Sequence, residues 1–137
     1  DLKGKAIIVH ADPDDYATII RTRGDNLFHD FTPPPRDAFF FNTCYTPRGF
    51  GRFGGVNDRC AVMGAEAAGI YFRVWDAIPA LIKARCPFHP ETLLKATLEM
   101  ESVTLRQTLD TQFSTLRPGG QVRHWTSEVL PCDLMVA

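Results

Sequence analysis

The stretch whose reading decides the fold is Glu91–Phe113, E-T-L-L-K-A-T-L-E-M-E-S-V-T-L-R-Q-T-L-D-T-Q-F. Leu94, Leu98, Leu105 and Leu109 recur at helical intervals, and Lys95 and Glu99 form a four-apart charge pair, which makes this the clearest periodic segment in the chain. Ser102-Val103-Thr104 favours strand instead. Two readings therefore stay open: one long helix, or a helix to about Ala96 followed by a strand over Thr97–Leu105. In both, the leucine stripe is expected to face the core.

Beyond this segment, Pro118-Gly119-Gly120 is a strong turn signal, and Gln121–Trp125 reads as a strand after it. On the N-terminal side, Val62, Ala65, Gly69, Phe72 and Asp76 are spaced by three and four, which predicts a helix over Ala61–Trp75. Gly64 and Gly69 weaken it by about 1 kcal/mol each. A second short helix is expected to start at Asp76 as its cap, with Pro79 in its first turn, and to run to Arg85 before Cys86-Pro87 stops it. At the start of the chain, Gly4–His10 reads as a strand apolar on both faces, closed by the acidic turn Asp12-Pro13-Asp14-Asp15. Tyr16–Arg23 is a further strand candidate, and Gly24-Asp25-Asn26 turns the chain.

Between Thr32 and Asn57, Pro33-Pro34-Pro35, Pro47 and the glycines at 49, 51, 54 and 55 break every period, so a long loop is expected. Phe28, Phe31, Phe39, Phe40, Phe41, Tyr45, Phe50 and Phe53 lie in and around it, too much aromatic surface for a solvated linker. The loop should therefore be ordered and packed. Strands and helices together predict an α+β fold, a single compact domain over 1–137 with a long Pro/Gly/Phe-rich loop region.

Fifteen basic against sixteen acidic residues leave a net charge of -1, which removes the electrostatic case for general nucleic-acid binding. The longest uninterrupted apolar run is too short to span a bilayer, and no secretion signal precedes it, so a cytoplasmic protein with no membrane partner is expected. Cys44, Cys60, Cys86 and Cys132 are scattered without a C-x-x-C pair, which favours free thiols.

Two constellations could carry chemistry. In the first, His10 stands at a strand end among Asp12, Asp14 and Asp15, residue types that suit a divalent metal. G-K-A-I-I-V-H-A-D-P-D-D-Y, residues 4–16, resembles the late strand and following loop of the copper/zinc superoxide dismutases, where such a histidine is a copper ligand and one aspartate links two metal sites. The remaining histidines, His29, His89 and His124, do not supply the H-x-H pair of that family, so no metal site is assigned and the run also reads simply as a buried strand with an acidic turn.

The second constellation spans Ile20–Trp75: an arginine after an apolar strand (I-I-R-T-R), a Pro- and Phe-rich loop, G-F-G-R-F, and A-V-M-G-A-E-A-A-G-I-Y-F-R-V-W. This order resembles the RES family of NAD-consuming toxins, whose fold is similar to that of ADP-ribosyltransferases. The chain carries Met63 where the family pattern has tyrosine, and Arg73-Val74 where it has a helix glutamate. The resemblance implies an ADP-ribosyltransferase-like fold, NAD as substrate, and NAD hydrolase, phosphorylase or transferase activity. It also implies that Arg21, Arg23 and Arg52 hold the cofactor and that Glu66 and Tyr71 are the nearest catalytic groups. The physical logic is direct, since forked guanidinium groups clamp a pyrophosphate and a carboxylate stabilises the oxocarbenium-like centre of a breaking glycosidic bond. The alternatives are a non-catalytic module or homo-oligomer packing its aromatic region 28–53 on a protein partner, and a metal-binding protein using His10 and its aspartates.

Overall fold

The computed structural model describes residues 17–49 and 54–126, and within them the chain is a mixed α+β fold built on two sheets. The first sheet has the order β1 (Ile19–Thr22), β4 (Cys60–Met63), β3 (Thr43–Pro47), β5 (Thr104–Leu109). Only β3 and β5 run parallel in it. The second sheet is an antiparallel set in the order β2 (Asn26–Phe31), β6 (Thr111–Leu116), β7 (Val122–Thr126). The helices α1 (Ala65–Tyr71), α2 (Val74–Lys83) and α3 (Pro90–Met100) follow β4 in succession.

The strand alternation explains how the layers meet. Ala61, Met63, Cys44, Ile19 and Leu105 pack with Ala67, Ala68, Tyr71, Leu94 and Leu98, so one face of the first sheet is covered by α1 and α3. Cys60, Val62, Tyr45 and Leu109 pack with Phe40, Phe28 and Phe31, so the opposite face meets the second sheet. β4 is buried along its whole length because both of its faces are covered.

Glu91–Phe113 holds a helix and two strands. α3 begins with Pro90 in its first turn and ends in a Schellman motif: Val103 N–H donates to Leu98 O at 2.9 Å and Ser102 N–H to Glu99 O at 3.1 Å, with Ser102 at φ 59°. The strand signal of Ser102-Val103-Thr104 is therefore real, but the strand starts at Thr104 rather than Thr97. Leu105 and Leu109, four apart, would share a face of a regular strand. A register shift between Tyr45↔Arg106 and Pro47↔Leu109 adds one residue to β5 and sends Leu105 toward the helices and Leu109 toward the second sheet. A similar shift between Phe28 and Asp30 keeps both Phe28 and Phe31 facing inward.

Three sequence expectations are corrected. The helix expected over Ala61–Trp75 is a strand, β4, then α1 and the start of α2. Gly64 makes the break, since it is extended at φ -77°, ψ 171°, and a Cβ there would lie 2.2 Å from Phe40 O. α2 begins at Val74 rather than Asp76, which puts Pro79 inside the helix and leaves Asp76 in the first turn without a capping role. Arg85 at φ 58° closes α2 with the same Schellman pattern, Cys86 N–H donating to Leu81 O at 2.9 Å. The expected loop Thr32–Asn57 contains β3, fully buried, because Thr43–Pro47 is paired on both sides despite its proline. The strand expected over Gly4–His10 lies outside the described residues. Among those residues, no helix is long and apolar enough to cross a membrane.

Candidate functional site

Arg21 sits on β1 opposite Ala61, with the parity of Ile19, so its side chain leaves the sheet on the helix-covered face. There its guanidinium lies 5.9 Å from the centroid of the Tyr71 ring, at the end of α1. It also donates to the backbone carbonyl of Asp58, just before β4. Residues fifty apart in sequence thus converge because β1 and β4 pair side by side and Gly64 turns the chain directly from β4 into α1.

Tyr71 is 6% exposed, and its hydroxyl has no hydrogen-bond partner among the described residues. Burial pushes its phenol far above the ordinary tyrosine range, opposed by the Arg21 charge and reinforced by Cys44, Asp58 and Cys60 nearby. At neutral pH it is a protonated donor. The two buried thiols beside it are inert in the same conditions: burial raises Cys44 to about 12, with Cys60 adding to it, and raises Cys60 to about 11, opposed by Arg21. Cys44, Cys60 and Cys86 are free thiols.

The other residues expected at the site are placed differently. Arg23 turns its fork onto Asp25, with Nε to Oδ1 at 3.1 Å and Nη2 to Oδ2 at 2.9 Å, so it pins the turn between β1 and β2. Glu66 is exposed in the first turn of α1, and the five residues separating it from Tyr71 put the two roughly 140° apart around the helix. Arg52 lies outside the described residues, as do His10, Asp12, Asp14 and Asp15. Among the described residues, no three His, Cys, Asp or Glu side chains gather as a metal site would need.

The carboxylate that does neighbour the pair is Asp58. It acts electrostatically on Tyr71 and on the buried Arg59, whose pKa is lowered by burial and supported by Glu91 and Asp58. Asn57-Asp58-Arg59 follows the Gly54-Gly55 turn without a recognisable motif, and its only sequence signal is a charged pair at the mouth of an apolar strand. Asn57 accepts from Arg59 N–H at 3.0 Å and fixes that turn. A second polar pair, His29 Nε2 with Ser114 Oγ, spans β2 and β6. Ser114 pairs with Leu27 in register and so lies on the face of the second sheet opposite Phe113.

The arrangement offers a cation held by a ring face and a carbonyl, with N–H donors to spare for an anionic oxygen such as that of a phosphate, beside a buried phenol and a carboxylate. No protein-family model matches the chain, and no curated protein and no solved structure matches it either. The site is accordingly read from its chemistry.

Proposed function

We propose that this chain is a nucleotide-binding domain acting on NAD, an ADP-ribosyltransferase-like fold of the RES kind, with Arg21 as the pyrophosphate clamp. The observation carrying this reading is the convergence of Arg21 and Tyr71 at the end of α1. A guanidinium has five N–H donors, and the Asp58 carbonyl and the Tyr71 face leave several of them for a phosphate. Tyr71 steers the guanidinium through its ring, while its hydroxyl stays closed off from solvent. Asp58 takes the part of the electrostatic carboxylate in place of Glu66, whose position on α1 suits contact with a second substrate at the surface.

The test is incubation of the purified protein with NAD, following free nicotinamide by chromatography and the melting temperature in parallel. Loss of NAD supports catalysis. A thermal shift without NAD loss supports binding alone. If millimolar NAD is neither consumed nor shifts the melting temperature, the reading is overturned.

One observation favours a second reading, the interaction module. Phe39 and Phe41 are 70% and 58% exposed on either side of the buried Phe40, next to a cleft of about 470 Å³ lined by Ala17, Arg36, Asp37, Ala38, Phe40 and Phe41. Arg36 stacks on Phe40 at 5.6 Å. A protein partner inserting an apolar side chain there would bury both flanking rings. Loss of partner capture on Phe39→Ser, with NAD behaviour unchanged, separates this reading from the first.

A further inference from the structure

We propose that α2 is the self-association surface of this protein, packing antiparallel against α2 of a second copy about a two-fold axis near Pro79. The helix carries two apolar faces. Val74, Ala77, Ile78 and Leu81 turn toward the body of the protein, and Leu81 is buried. Trp75, Pro79 and Ile82 recur at spacings of four and three on another face, and Phe72 continues the same stripe one turn earlier. All four are exposed, Trp75 by 75% and Ile82 by 55%. A solvated helix face does not need a tryptophan, a phenylalanine and an isoleucine in a row.

Charge and area together select a second copy as the occupant. Asp76 lies in the first turn of α2 and Lys83 in the last, seven residues apart, so both stand on the same flank of the stripe. When two such helices run antiparallel, Asp76 of each copy faces Lys83 of the other, and Trp75 of each lies beside Ile82 of the other. The helix dipoles also oppose one another in this arrangement. A parallel pair would carry Asp76 and Lys83 of the two copies to opposite sides of the seam and leave both charges without a partner across it. The surface is therefore complementary to itself in one orientation. The exposed Phe72, Trp75 and Ile82 present on the order of 400 Å² of apolar surface per copy. Rim residues raise this toward the ~800 Å² per partner of a standard stable interface. Trp75 at the centre has the character of a binding hot spot.

Sedimentation velocity of the full chain across micromolar concentrations tests the proposal. A monomer–dimer equilibrium is expected, and Trp75→Glu shifts it to monomer. Since Trp75 is exposed, its far-ultraviolet circular dichroism stays that of the parent chain, and its melting temperature matches the parent's at concentrations where the parent is monomeric. The orientation has its own test. D76K and K83E each weaken association by about tenfold, because each sets like charges opposite one another twice, whereas an equimolar mixture of the two variants associates as tightly as the parent. A chain that stays monomeric up to roughly 100 μM overturns the proposal. So does a dimer indifferent to Trp75→Glu. A mixture no tighter than its components overturns the antiparallel geometry.

Discussion

Replacing Tyr71 by phenylalanine separates stability from function at the candidate site. The ring is buried and the hydroxyl has no partner among the described residues, so the folded state has dehydrated a polar group without compensation. Such a group costs about 1–3 kcal/mol. Removing one oxygen leaves the ring, its volume and the face toward Arg21 in place. Tyr71→Phe is therefore expected to stabilise the protein by about 1 kcal/mol, after allowing for slight repacking around the lost atom, which is roughly 4 °C in melting temperature for a chain of this size. Urea unfolding monitored by tryptophan fluorescence measures it as a higher midpoint at unchanged slope. The same variant should leave the NAD-induced thermal shift unchanged, because the ring that steers Arg21 is kept and the lost hydroxyl is closed off from solvent. A loss of 1 kcal/mol or more on Tyr71→Phe would show that the hydroxyl is paired in the folded protein and would refute the reasoning.

Three further outcomes follow from the packing and the charges. Gly64→Ala should destabilise the fold by about 2–3 kcal/mol in the same urea assay, because its Cβ would meet backbone atoms of Phe40 and Phe41 at 2.2 and 2.5 Å rather than a side chain that can move aside. Stability should fall as pH rises above about 9: the unfolded chain then releases the Cys44 and Cys60 protons while the folded chain retains them up to about 12 and 11, so each thiol removes about 1.4 kcal/mol per pH unit within its window. Replacing both by alanine should flatten that slope between about pH 9 and 10 and leave only the part due to the buried Tyr71 phenol above that. Arg23→Ala should change stability by less than about 1 kcal/mol, since its partner Asp25 is close in sequence and both side chains are about a third exposed.

The sequence was most legible where periodicity and punctuation agreed. The strand ending at Arg23, the turn at Pro118-Gly119-Gly120 and the strand after it, and the end of α2 before Cys86-Pro87 all carry local signals strong enough to survive in the fold. It was least legible where tertiary structure reassigned a pattern. Leu105 and Leu109 repeat like a helix face, but a bulge that only the pairing with β3 creates puts them on opposite faces of a strand. Val62 to Asp76 repeats similarly, though Gly64 divides it for a reason visible only in the approach of the Phe40 backbone. The stops of α2 and α3 rest on Arg85 and Ser102 in left-handed conformations, and neither residue type announces one. Of the candidate site, Arg21 and Tyr71 enter the reading of the sequence only through the resemblance of Ile20–Trp75 to the RES family, whereas Asp58 does not enter it at all, since its place depends on how the turn fixed by Asn57 meets β1.

The most direct measurement of the central claim is titration calorimetry of NAD into the parent chain and into Arg21→Ala, with both proteins first shown to be folded. The account predicts saturable binding to the parent and a loss of about tenfold or more in affinity without the guanidinium, the scale of a charge-assisted hydrogen bond to a phosphate. Equal affinity in the two proteins, or no heat in either, would contradict it.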